Sequence, residues 1–175
     1  MKLFIKNVKN LVLPTQAHPN EDACFDVVAA SDAIINGSFI ERGDGVKLYE
    51  NINYIEYNTN LFVAPEEFHF LKFYARSSIS KYNLILKNNV PIIDNGFRAN
   101  ILLRYAYTIQ PEDLRIIPEF NGNQVYCVVN EDLIYHMGDK CAQFEICKTI
   151  PIELEIVEKL PHSIRNDKGL GSSGK

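Results

Sequence analysis

Turn residues interrupt this chain too often for long helices to form. Eight prolines and the clusters Asn36-Gly37, Gly43-Asp44-Gly45, Asn95-Gly96 and Asn121-Gly122-Asn123 cut it into short runs. Proline fixes φ and removes a backbone donor, and Asn-Gly pairs tolerate the left-handed conformation of tight turns. The runs between them, at 2–8, 24–29, 51–57, 60–63, 68–74 and 101–108, are apolar or alternating. They have the length and residue types of strands. Ile152, Leu154 and Ile156 alternate with Glu153 and Glu155, which predicts a strand with one wet face. A short helical turn is predicted over 77–82, with serines to cap it. No helix-period stretch is long enough for a bundle. The expectation is an all-β fold, a sandwich or a jelly roll.

At 175 residues with 46% hydrophobic side chains, one domain with a real core is expected. The net charge of −4 argues against a general nucleic-acid-binding surface and leaves room for a local basic pocket. No apolar run reaches membrane-spanning length, and residues 1–10 lack the apolar stretch of a signal peptide. Cys24, Cys127, Cys141 and Cys147 form no C-x-x-C pair and have no histidine at zinc-ligand spacing. They read as reduced, mostly buried thiols, so a cytoplasmic protein is expected, in host cytoplasm if the source is viral. His18, His69, His136 and His162 are scattered and suggest no site.

Several polar clusters interrupt the β pattern. Asp26 in DACFDVVA lies among apolar residues, where a carboxylate needs a partner or a cation, and bracing nearby backbone would suffice. Arg76-Ser77-Ser78 follows an aromatic run and joins a guanidinium fork to two hydroxyls, which suits an oxyanion cradle or a plain helix cap. Asp94 in NNVPIIDNGFRANI precedes a tight turn and could simply brace it. Gln143 in GDKCAQFEI could read a polar ligand or fill a hydrogen bond. The chain ends on RNDKGLGSSGK, a segment with too little apolar surface to bury itself. Gly169 to Lys175 fits part of a phosphate-binding G-x-x-x-x-G-K loop. It lacks the following Ser or Thr and the helix whose N-terminus would face the phosphates.

In order, DACFDVVA, ARSS, KNNVPIIDNGFRANI, GDKCAQFEI and RNDKGLGSSGK resemble the five motifs of the trimeric dUTPase family. The resemblance runs from Asp22 to Lys175. It implies a jelly-roll-like β barrel over residues 1–164, an insert at about 110–134, and a flexible glycine-rich arm, 165–175, that closes over nucleotide. It also implies a homotrimer with active sites at subunit boundaries. The implied activity is hydrolysis of dUTP to dUMP and pyrophosphate, with Mg²⁺ as cofactor. By the resemblance, Asp94 is the general base that activates water for in-line attack at the α-phosphate, and Asp26 meets Mg²⁺ through water. Arg76, Ser77, Ser78 and Gln143 are implied phosphate contacts. Asn88 is the amide that reads uracil, and Phe97 packs beneath the deoxyribose. Arg165, Gly169, Leu170, Gly171, Ser172 and Ser173 form the lid.

The chain departs from that pattern in places. Cys24 stands where the first motif usually has Gly, Leu170 replaces a stacking Phe, and the insert is long. The related dCTP deaminases share the fold and a similar pattern. Their proton-shuttling Glu would fall at Arg104, and a guanidinium cannot take that role. A third reading is a nucleotide-gated binding protein that meets a protein partner through the insert.

Overall fold

A computed structural model describes residues 1–120 and 122–163. It is all-β: β1 (Leu3–Ile5), β2 (Phe25–Val28), β3 (Ile34–Glu41), β4 (Lys47–Asn58), β5 (Val63–Pro65), β6 (His69–Tyr74), β7 (Leu84–Leu86), β8 (Ile92–Ile93), β9 (Leu102–Tyr107), β10 (Leu114–Glu119), β11 (Gly122–Cys127) and β12 (Lys140–Lys148). Every pairing between them is antiparallel. A four-stranded sheet runs β2-β12-β6-β8, and a six-stranded sheet runs β10-β11-β4-β9-β7 with β3 alongside β4. β1 and β5 form a small third sheet. Among the described residues no closed barrel results. No helix among them is long and apolar enough to cross a membrane.

Alternation in the sequence accounts for the layering. In β9, Leu103 and Tyr105 are buried and Leu102 and Arg104 are exposed, and β7 buries Leu84 and Leu86 around exposed Ile85. The inward side chains of both large sheets join in one core with Val27, Ile55, Leu71, Phe73 and Phe144. Tyrosines stand at its centre. Tyr57 meets Tyr105 and Tyr135 edge-on, with ring centroids 5.7 and 5.8 Å apart, a favoured geometry for aromatic pairs. Two of the hydroxyls find backbone: Tyr105 donates to the Cys141 carbonyl at 2.7 Å, and Tyr57 accepts from the Tyr135 amide, while the buried Tyr135 hydroxyl has no partner among the described residues. Burial pushes the phenols of Tyr57, Tyr105 and Tyr135 well above their ordinary range.

Cys127 and Cys141 are buried, Cys24 and Cys147 half-buried, and all four are free thiols. Gly43-Asp44-Gly45 makes the β3–β4 hairpin turn, closed by the Arg42 amide donating to Val46. Within residues 110–134, β10 and β11 pair as an antiparallel hairpin.

Three expectations need correcting. Asn36-Gly37 is no turn but lies inside β3 at a register shift against β4. The extra residue is Asn53 on β4, and Gly37 lies opposite, where the Asn51 carbonyl leaves no room for a Cβ. The alternating run at 152–156 forms no strand: residues 151–163 are exposed, with Ile152, Leu154 and Ile156 at 77%, 87% and 100%. Alternation makes a strand possible, but a strand also needs an edge to pair with. The turn after Arg76 is a 3-10 turn over Ser77–Lys81 without a side-chain cap.

Candidate functional site

One rung of the four-stranded sheet assembles the first polar cluster. Asp26 on β2 pairs with Gln143 on β12, which pairs with Tyr74 on β6, two residues before Arg76. Across this rung, Arg76 Nε donates to Asp26 Oδ1 at 2.7 Å and Nη2 to Oδ2 at 3.3 Å. Such a fork is the strong form of an ion pair. Lys140 Nζ meets Oδ2 at 2.9 Å. A bulge in β12 between Lys140 and Ala142 lets consecutive Cys141 and Ala142 both face inward and turns Lys140 to Asp26. Burial acts to raise the Asp26 carboxyl, but hydrogen bonds and charge from Lys140 and Arg76 hold it below the usual carboxylate range. Arg76 Nη1 reaches Ser78 Oγ at 3.3 Å, Gln143 donates to the Ala75 carbonyl, and Ser77 is exposed. Asp22, Asp26, Arg76 and Gln143 line a cavity of 380 Å³.

The second cluster sits on a cleft of 620 Å³ lined by Asn88, Ile92, Ile93, Phe97, Ala99, Leu102 and Arg104 among others. Apolar walls with a few polar groups suit a flat heterocycle and a sugar. Asp94 lies in the turn after β8, between Ile93 and Phe97, which line the cleft. Asp94 is exposed, and its carboxylate has no hydrogen-bond partner among the described residues, while its carbonyl accepts from the Phe97 amide at 3.0 Å. Asn95 holds this turn. Its Nδ2 donates to the carbonyls of Pro65, Glu66 and His69 at 3.0, 2.9 and 3.2 Å. Arg104 donates to Glu56 at 2.7 Å and lies 4.4 Å over the Tyr54 ring. The bond to Glu56 raises its already high pKa, so it is a fixed cation.

The two clusters lie at opposite ends of β6. Ile93 pairs with Leu71, so Asp94 leaves the sheet near Phe70, whereas Arg76 lies six positions along the strand. At roughly 3.3 Å per residue that is ~20 Å, too far for one small polar group to meet both within one chain. Arg165, Gly169, Leu170, Gly171, Ser172 and Ser173 lie outside the described residues. Lys140 and Asn95 were missed by sequence reasoning. Lys140 is 114 residues from the carboxylate that it meets, and nothing local marks either contact.

No family model matches this chain. Among curated proteins it is similar to the deoxyuridine 5'-triphosphate nucleotidohydrolase of Corynebacterium glutamicum, at 30% identity over 82 residues, which is 45% of this chain and 55% of that one. The same-named protein of Gamma-proteobacterium EBAC31A08 is 27% identical over 95 residues, 54% of each. The chain thus spans about half the length of the curated relatives that it matches. Among solved structures, Staphylococcus bacteriophage 80alpha dUTPase with dUPNHPP aligns over 99% of both chains, with a TM-score of 0.68 at 23% identity. That work describes phage dUTPases as controlling transfer of virulence genes by a proto-oncogenic G protein-like mechanism. A mutant dUTPase from phage phi11 of S. aureus, in which a structural Mg(II) ion is coordinated, aligns over 91% of this chain and 98% of that one. Its TM-score is 0.61 at 19% identity. The fold is therefore that of the phage dUTPases, as the resemblance implied.

Proposed function

We propose that the chain is a dUTP diphosphatase of phage type, hydrolysing dUTP to dUMP and pyrophosphate. The observation that carries the reading is the unpartnered Asp94 carboxylate on an anchored turn between Ile93 and Phe97, both of which line a nucleoside-sized cleft. Asn88 reads the uracil edge, and Phe97 packs under the deoxyribose. Asp94 accepts a proton from a water whose oxygen attacks the α-phosphorus in line. The bond from that phosphorus to the α,β-bridging oxygen breaks, and pyrophosphate leaves. Arg76, Ser77, Ser78 and Gln143 hold phosphate oxygens, joined by Arg165, Gly171, Ser172 and Ser173 of the tail, while Leu170, beside Gly169 in the same lid, covers the base.

The donors suit Mg²⁺ arriving with its substrate. Among the described residues no group of three His, Cys, Asp or Glu side chains could hold a metal ion. Mg²⁺ is commonly held by one or two carboxylates, waters and substrate phosphate oxygens, and Asp26 would supply a carboxylate through water. When bound, the ion neutralises charge on the phosphate oxygens.

We further propose a homotrimer in which Asp94 of one copy and Arg76 of another serve one nucleotide. The ~20 Å along β6 estimated at 3.3 Å per residue supports this, and so does the exposed apolar run Ile150, Ile152, Leu154 and Leu160. A dCTP deaminase is disfavoured by Arg104, a fixed cation where that chemistry needs a Glu. A side role in binding a protein is supported by exposed Ile116, Phe120 and Val125 on the β10–β11 hairpin. The test is incubation with dUTP, dCTP, dTTP and UTP plus Mg²⁺, with products identified. Pyrophosphate from dUTP alone is expected. Ammonia from dCTP, or no turnover, overturns the reading.

A further inference from the structure

The phosphate cavity is neutralised from within. Its lining offers two carboxylates, Asp22 and Asp26, against one guanidinium, Arg76. The Arg76 fork is occupied by Asp26, through Nε at 2.7 Å and Nη2 at 3.3 Å, which leaves Nη1 to Ser78. Lys140, the nearby cation, is held by the same carboxylate at 2.9 Å. The Asp26 side chain is only 14% exposed, so water screens its charge poorly. An incoming polyphosphate must either lie against this carboxylate or pull Arg76 and Lys140 from it. The second route leaves a largely buried anion without its partners, which is costly. A polyphosphate that carries a divalent cation escapes the conflict, because the cation's hydration shell offers donors to the released carboxylate.

We infer that Asp26 is a specificity-determining residue that makes the site reject metal-free polyphosphate in favour of the metal complex. The inference rests on the dUTP reading and goes beyond it. In that reading Asp26 favours the metal complex, whereas here its ion pairs also exclude the bare anion.

Isothermal titration calorimetry with a non-hydrolysable imido analogue of dUTP tests this, in EDTA and in excess Mg²⁺. The proteins are wild type, Asp26→Asn and Asp26→Ala, each checked for its fold by circular dichroism. Asp26→Asn is expected to bind the metal-free analogue about tenfold more tightly than wild type, the scale of removing one like charge a few ångströms away. Its gain on adding Mg²⁺ should shrink to about twofold, while wild type gains about tenfold or more. Asp26→Ala gives the same ordering and serves alone if the Asn variant fails to fold. Metal-free binding no tighter in the variants, or an undiminished gain from Mg²⁺, overturns the inference. If wild type binds the analogue in neither condition, the dUTP reading falls. Inorganic triphosphate in the same arms then decides the inference separately: tighter metal-free binding by the variants upholds it, and equal or weaker binding ends it.

Discussion

Asp94 is positioned by its neighbour rather than by its own contacts. Asn95 spends its amide on three carbonyls, which fixes the turn and leaves the adjacent carboxylate free for a water. Asp94→Asn keeps the shape and removes the basicity. Turnover of dUTP should fall about 10²- to 10⁴-fold, with binding of a non-hydrolysable analogue largely kept. Steady-state kinetics beside calorimetry checks this, and a variant retaining more than about a tenth of the wild-type rate excludes Asp94 as the base. Asp26 makes a prediction about acid stability. Its folded carboxyl titrates below the ordinary range, so the unfolded chain takes up the proton first as pH falls. The stabilisation is whole above about pH 4 and is lost as pH drops through the lower folded value. Thermal melts across that window should show a shallower acid decline for Asp26→Asn than for wild type. Equal slopes would mean that the ion pairs with Arg76 and Lys140 contribute nothing to stability.

Among the elements, the β3–β4 pair shows what a sequence can and cannot say about a sheet. A Cβ on Gly37 would stand 2.2 Å from the Asn51 carbonyl oxygen, which is backbone and cannot swing aside. Gly37→Ala should therefore cost about 1–3 kcal/mol, the usual scale of forced overpacking, read as a lower urea midpoint at unchanged slope. An unchanged midpoint would mean that the register shift yields freely. Asn36-Gly37 has the same letters as a turn, and only its pairing with Tyr54 and Ile52 places it in a strand, opposite a bulge at Asn53. Gly43-Asp44-Gly45 was readable because glycine and aspartate by themselves mark a tight turn. The run at 152–156 was readable as strand-like, but its own chain supplies no partner among the described residues. Asp26, Arg76 and Gln143 could be named through motif order, whereas the Lys140 contact arises from a bulge in another strand. Local patterns carry turns and faces; contacts across a sheet depend on register, which no short window contains.

For the whole molecule, the separation of Asp94 from Arg76 along β6 decides how subunits must cooperate. Mixing Asp94→Asn chains with Arg76→Ala chains, each inactive alone, should recover part of the wild-type rate, since some mixed assemblies contain one intact site. Sedimentation should give the mass of three chains. A monomer with full activity, or no recovery after verified subunit exchange, ends the trimer proposal. The tyrosine core described above has an optical consequence. The chain has nine tyrosines and no tryptophan, so its near-ultraviolet absorbance is dominated by phenols. Tyr57, Tyr105 and Tyr135 resist ionisation while the sheets stay packed, whereas the same phenols in an unfolded chain lose their protons near pH 10. Because the unfolded state releases those protons first, stability falls as pH rises above about 10. The phenolate absorbance of these three rings should then emerge in one cooperative step, together with the loss of sheet circular dichroism, so that the protein colours its own alkaline melting. A gradual rise that precedes the dichroism change would show that the rings are reached by hydroxide while the fold is intact.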